Sequence, residues 1–184
     1  PVYTPGGGFP LSKEAVMEKV LISACLLGKK VRYDGKAFPI ADQILAQWIA
    51  AGRVISVCPE VDAGMSIPRA PAEITAGDGF DVWAGSAFVI EDVGLDVTAH
   101  FKKGAEMTLV LCKKYNIRVA VLTEHSPSCG STAIYDGHFT STKINGVGVT
   151  AALLKQNDIE VFSQHDIADA NAALLRTTIW NTNY

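Results

Sequence analysis

Three short apolar runs at residues 19–24, 53–57 and 117–122 alternate with stretches of helical periodicity, and this alternation limits the fold more than any other feature of the sequence. Apolar runs of this length, bounded by turn residues, read as buried strands. Between the first two, residues 41–51 carry Ile44, Leu45, Trp48 and Ile49 at helical spacing and close on Gly52. Residues 98–115 set Phe101, Ala105, Thr108, Leu109 and Cys112 on one stripe, with Asn116 able to cap the end. Further helices are expected over 147–156 and over 166–175, the second opening at Asp166, with a strand at 159–162 between them. Such alternation implies an α/β fold: a three-layer, Rossmann-like domain whose mainly parallel central sheet carries helices on both faces. Residues 59–79, rich in Pro, Gly and Ala without periodicity, read as a long functional loop. Residues 80–90 read as a short hairpin, and 134–137 as a strand end and turn.

The chain has 184 residues, 48% of them apolar, enough for one substantial core and short for two. Residues 17–176 are therefore expected to form a single domain. Pro1 opens the sequence, Gly6, Gly7 and Gly8 follow, and Met17 stands just before the first strand. Residues 1–16 thus read as a flexible extension or a remnant, and 177–184 as a tail. A net charge of −3 and a pI near 5.8 offer no broad positive field, which argues against nucleic acid or an anionic membrane as partner and for a small molecule. The longest apolar runs are too short to span a bilayer, and no signal peptide is read at the start, so the expected location is the cytoplasm.

Of the four cysteines, three follow strand ends: Cys25 after the first, Cys58 after the second, and Cys129 in the turn beyond the third. Parallel strands of a doubly wound sheet finish at one edge, where ligand sites form, so the fold can bring these three together. Cys112 falls on the apolar stripe of a helix and reads as core. Any one cysteine could be a small buried apolar residue, but three at strand ends beside Gly, Pro or Ser point to a shared metal or catalytic site. Structural disulfides are not expected in a reducing compartment. A structural zinc site usually draws on close CxxC pairs, and none occurs. His125, four residues before Cys129, keeps a Cys3His zinc site open as an alternative. The remaining histidines, His100, His138 and His165, read as surface or helix-end residues.

The surrounding motifs are long. Leu21-Ile-Ser-Ala-Cys-Leu-Leu-Gly28 leads to Val31-Arg-Tyr-Asp-Gly35, then Val57-Cys-Pro-Glu-Val61 and Pro68-Arg-Ala-Pro-Ala-Glu-Ile74. Downstream stand Ser126-Pro-Ser-Cys-Gly130, Ile134-Tyr-Asp-Gly137 and Gly146-Val-Gly-Val-Thr-Ala-Ala-Leu-Leu154. From about Met17 to Leu175 the sequence resembles the thiouracil desulfidase family, formerly a domain-of-unknown-function family of short bacterial proteins. The resemblance implies an α/β domain in which Cys25, Cys58 and Cys129 hold a [4Fe–4S] cluster, leaving one iron free for the sulfur of a thiolated nucleobase. It also implies roles for Glu60, in Cys-Pro-Glu, and for Ser126, the first serine of Ser-Pro-Ser-Cys. The sequence departs from the family where Thr123-Glu124-His125 replaces the Lys-Glu pair and further basic or polar residue often found before Ser-Pro-Ser-Cys.

On that resemblance, the free iron polarises a thiocarbonyl as a Lewis acid, water replaces the sulfur, and uracil and hydrosulfide leave. Glu60, two residues from Cys58, is the expected general base, and Ser126 the expected hydrogen-bonding group on the ring or water. Ser126 could instead be a turn hydroxyl, and Glu60 a solvated loop acid. Tyr33, Asp34 and Arg69 are candidate ring contacts. Tyr33 and Asp34 could equally build a turn, and Arg69 could pin the Pro-rich loop through a salt bridge, with Glu73 as the suggested partner. The same three cysteines could serve a zinc hydrolase, a thiol nucleophile or an electron-transfer or cluster-carrier protein, although carriers normally use four cysteine ligands.

Overall fold

A computed structural model describes residues 17–181, with side chains to Arg176. The expected N-terminal extension at 1–16 lies outside these residues. Strands β1 (Val20–Ser23), β2 (Val54–Val57), β5 (Val119–Leu122) and β8 (Glu160–Ser163) form one parallel sheet in the order β2-β1-β5-β8. In β1 and β5 all four residues are buried, as expected of central strands covered on both faces.

The pleat divides these residues between two cores. Val20 and Ile22 of β1 and Val119 and Val121 of β5 pack under α1 (Gln43–Ala50) and α6 (Ile167–Asn181), against Leu45, Trp48, Ala170 and Leu174. Leu21, Ala120 and Leu122 point the other way, under α4 (Thr98–Lys114) and α5 (Val149–Gln156), where Cys112, Ala151 and Leu154 meet them. The three layers are thus those expected. Each fully buried Leu or Ile side chain contributes roughly 1.5–3 kcal/mol. Helix α6 runs past the boundary read at residue 175, to Asn181.

The sequence reading fails over 59–90. The stretch read as a loop contains a short helix, α2 (Pro59–Asp62), and strand β3 (Ala72–Thr75). The expected hairpin is instead helix α3 (Gly79–Ala84) followed by strand β4 (Phe88–Glu91), which pairs antiparallel with β3. Asp78 starts α3 through a capping box with Asp81. Elements of four to six residues show too few turns or alternations for periodicity to reveal them. A second ribbon, β6 (Ala133–Tyr135) with β7 (Lys143–Asn145), follows the Cys129 turn. The ribbons share a small core with α4, where Ile74, Val89, Phe101 and Ile134 meet.

Two glycines allow close approaches that matter for the site. A Cβ on Gly104 of α4 would lie 2.2 Å from the Pro59 carbonyl oxygen, so only glycine lets α4 pack against the Cys58-Pro59-Glu60 turn. A Cβ on Gly148 would stand 2.4 Å from the Ser128 backbone, beside Cys129. Among the described residues no helix is long and apolar enough to cross a membrane.

Candidate active site

In the order β2-β1-β5-β8 the chain first steps from β1 to β2 and then crosses to β5 on the other side, so strand order reverses between β1 and β5. Ligand sites of open α/β sheets form at the carboxyl ends of strands at such a point. A cavity of about 530 Å³ opens there, and Cys25, Cys58 and Cys129 all line it. Cys25 sits in a 3-10 turn, Ala24–Leu27, that leaves β1 directly. Cys58 precedes α2 at its N-cap. Cys129 lies in the turn after β5, fixed by Ser126, whose Oγ accepts the N–H groups of Ser128 and Cys129 at 3.1 Å each. Cys112 is buried in α4 on the α4/α5 side of the sheet, away from the cavity.

Burial pushes all three cavity thiols above the ordinary value. Cys25 is raised by burial, partly offset by a hydrogen bond with Thr123 and by Arg32. Cys58 is pushed up to about 11, by burial first, with the Glu60 carboxylate adding to it. Cys129 is raised by burial, then by Glu60 and by the neighbouring Cys58 and Cys25 thiols. Without a metal these groups stay protonated at neutral pH, whereas a coordinating thiol is deprotonated outright. Loading a cation or cluster therefore releases protons, and binding tightens as pH rises.

The donor set distinguishes between kinds of metal. Among the described residues no three His, Cys, Asp or Glu side chains form a group that could hold a single metal ion. Zinc requires sulfur ligands at about 2.3 Å from one centre. A four-iron cluster takes each thiolate on a different iron, so its ligands surround a cube rather than meet at a point. Three thiols around one cavity, with the fourth cysteine of the chain elsewhere, fit a cluster that keeps one iron free of protein.

Glu60 and Arg69 also line the cavity, and they are paired with each other. Arg69 grips Glu60 Oε2 through Nε at 2.8 Å and also through Nη2, while Nη1 donates to the carbonyls of Val31 at 3.3 Å and Ser66 at 3.2 Å. The suggested Arg69–Glu73 bridge does not form, because Glu73 Oε2 accepts the N–H groups of Gly137 and Phe139. Both hydrogen bonds to Glu60 use Oε2, which leaves Oε1 without a protein donor among the described residues. Ser126 serves as a turn hydroxyl and still faces the cavity; an oxygen accepting two bonds keeps its own O–H to donate.

Tyr33 reaches the cavity, half-exposed, beside Arg32, which stacks over Phe38 at 5.6 Å. Asp34 does not line it. Its Oδ1 accepts the Lys36 N–H at 3.0 Å and its carboxylate lies between Arg32 and Lys36, so it closes the turn, the alternative open for it in the sequence. His125 lines the cavity with its ring tilted against Tyr135 at 6.3 Å, and burial and Lys143 hold its pKa below the usual histidine value. The hydrogen bonds of the Cys25 and Cys58 thiols go to Thr123 Oγ1 and to the Val31 carbonyl, not to a histidine.

Sequence reasoning missed the residues that brace the thiols. Thr123 Oγ1 lies 2.8 Å from Cys25 Sγ, and Ser23 Oγ accepts the Thr123 N–H at 3.0 Å. Buried Glu124 collects the N–H groups of Ser131, Thr132 and Ala133 and the Ser131 hydroxyl. Burial works to raise the Glu124 pKa, but these hydrogen bonds together outweigh it and hold the group below its ordinary value. The place of Thr123 and Glu124 directly after β5 was the available signal.

The fold and the cavity define a class: a small α/β protein with a three-thiol site at the switch point of a parallel sheet. Comparison with known proteins places it further. The chain belongs to the 2-thiouracil desulfurase family, whose model matches residues 20–166. It is 42% identical over 150 residues to the uncharacterized protein YbbK of Bacillus subtilis (strain 168), covering 82% of this chain and 98% of that protein. Among solved structures it is similar to a [4Fe–4S]-dependent thiouracil desulfidase, TudS, at 44% identity with a TM-score of 0.78, over 85% of this chain and 97% of the other.

Proposed function

We propose that this chain is a [4Fe–4S]-dependent desulfidase that removes sulfur from thiouracil-type nucleobases. One observation carries the reading: in a member of the 2-thiouracil desulfurase family, Cys25, Cys58 and Cys129 surround one cavity with the Glu60 carboxylate beside them. Held on those three thiolates, the cluster supplies an iron without a protein ligand, a Lewis acid toward the substrate's sulfur. The overall change exchanges C=S for C=O at the expense of one water and releases hydrosulfide and a proton, with no net oxidation.

The chain's own residues have defined parts in this reading. Arg69 fixes Glu60 by one oxygen and leaves Oε1 to take a proton from the attacking water. Ser126 donates its O–H to the ring or to that water. Tyr33, with Phe38 and Arg32, bounds the side on which a flat ring is received. The partner is a free small molecule rather than nucleic acid or membrane, in keeping with the net charge of −3. The cytoplasm is the proposed location, since it keeps thiols reduced, and the open iron makes the protein oxygen-sensitive.

Anaerobic purification with iron, sulfide and zinc analysis, followed by assay with 2-thiouracil, tests the proposal. The expected result is brown protein with about four irons, releasing sulfide and uracil in equal amounts. Zinc in place of iron, or a full cluster with no sulfide release from thiolated pyrimidines, would overturn it.

A further inference from the structure

Two motifs have no part in the chemistry above, the Glu73 end of Pro68–Ile74 and the turn of Ile134–Gly137, and the structure joins them. Glu73, on β3 and 8% exposed, aims one carboxylate oxygen at the loop between β6 and β7, accepting from Gly137 N–H at 2.9 Å and Phe139 N–H at 3.0 Å. That loop has a costly backbone. Gly137, Phe139 and Ser141 have φ of 86°, 55° and 61°, in the left-handed region that non-glycine residues rarely occupy. Gly137 also lies so close to β3 that a Cβ there would stand 2.5 Å from the Ile74 carbonyl oxygen. Glu73 lines the cavity that holds the three thiols, as do Phe139 and Ser141, but its Oε2 is already taken by the two loop N–H groups. Backbone in an unfavoured conformation persists only where its surroundings fix it, and here two of the fixing bonds end on one side chain.

We infer that Glu73 is a positioning residue for substrate: it holds the 137–142 loop so that Phe139 forms the wall of the ring site, and it thereby sets affinity without touching the cluster or the proton transfer. The inference rests on the proposed ring-binding role of the cavity. A buried carboxylate that served the fold alone would affect stability and cluster retention, whereas this one acts on ring binding through Phe139.

The test uses the cluster-loaded protein and three variants, Glu73→Ala, Glu73→Gln and Phe139→Ala. The readouts are iron content, amide hydrogen exchange at residues 137–142, equilibrium binding of 2-thiouracil, and KM against kcat. Loss of two amide-to-carboxylate bonds should speed exchange at Gly137 and Phe139 at least about tenfold in Glu73→Ala. KM and Kd should rise about tenfold with kcat within about twofold and iron at the parental level, the pattern of lost uniform binding. Glu73→Gln keeps an oxygen that can accept both N–H groups and should stay near the parent. Phe139→Ala, at a half-exposed position that tolerates truncation, should weaken binding as Glu73→Ala does while leaving exchange at Gly137 unchanged.

Parental exchange and parental affinity in Glu73→Ala would overturn the inference, as would a fall in kcat at unchanged KM. Loss of iron in Glu73→Ala, with Phe139→Ala binding like the parent, would reduce Glu73 to a fold residue and overturn it equally. A parent that binds 2-thiouracil but releases no sulfide would remove the proposed reaction and leave the Glu73 result standing.

Discussion

The two sides of the cavity are built by opposite means. The floor is the carboxyl edge of the parallel sheet, where β1 and β5 are buried at every residue and Cys25 and Cys129 hardly meet solvent. The facing wall is the β6–β7 ribbon, whose strands have three residues each and whose second strand is exposed throughout. Its loop depends on left-handed residues and one carboxylate. The thiols sit in turns that leave packed strands, whereas the loop between β6 and β7 rests on two short strands, the second of them exposed, the kind of segment that opens at lower cost. Changes in the floor should therefore abolish the site, and changes in the wall should retune it.

The sharpest way to break this comparison is to remove one thiol at a time. Alanine at Cys25, Cys58 or Cys129 should each abolish retention of iron after anaerobic reconstitution, whereas Cys112→Ala should load iron like the parent. Loss of iron from the Cys112 variant alone would invalidate the assignment of the floor. Next in size is Glu60→Gln, which keeps shape and the Arg69 contact but cannot accept a proton. Full iron with at least roughly 10²-fold slower sulfide release is expected; near-parental release would move the base role to another group.

A smaller effect is expected at Ser126, whose Oγ holds two backbone N–H groups of the Cys129 turn. Ser126→Ala should cost about 1 kcal/mol in denaturant unfolding and about tenfold in turnover while keeping iron. An unchanged unfolding midpoint would show that the turn does not depend on it. The effect confined to high pH belongs to Cys112, raised to about 12 by burial. Its folded-state pKa lies above the unfolded value, so its contribution is complete below about pH 9 and is lost as pH rises toward 12. In metal-free protein the parent should lose stability relative to Cys112→Ala over that window, by at most about 1.4 kcal/mol per pH unit. Parallel stability curves for the two proteins would count against the burial of this thiol.

Legibility in the sequence followed the same division. The floor could be read because three of its four strands are apolar runs that lead into a turn with a cysteine, so Cys25, Cys58 and Cys129 declared both their edge and their company. The wall could not. β3, α3 and β7 are too short to show a period, and Glu73 looks in sequence like a partner for Arg69, whereas its bonds run to the backbone of residues 64 and 66 positions further on. Glu124 stood out only as part of the Thr123-Glu124-His125 departure, and its bonds were illegible for a like reason, since it serves main-chain donors in the next loop, and main-chain donors carry no residue type. Asp34 was ambiguous because a turn-closing aspartate and a ligand-binding aspartate have the same signature until the cavity is drawn.

The contact of Gly148 with the Ser128 backbone has a consequence for biosynthesis. The Cys129 turn is laced to the start of α5: Gly148 N–H reaches Gly130 O, Val149 N–H reaches Pro127 O, Thr150 N–H reaches Ser128 O, and the Ser128 and Thr150 hydroxyls meet at 2.8 Å. All three cysteines proposed to hold the cluster therefore leave the ribosome before the segment that anchors the last of them. A nascent chain halted after residue 135 would carry every thiol and no finished site, while one halted after α5 has emerged could take up iron. Stalling the chain at successive lengths and measuring bound iron would show the threshold once residues 149–156 have left the ribosome, and capture by the shorter chains would show that the turn needs no such anchor.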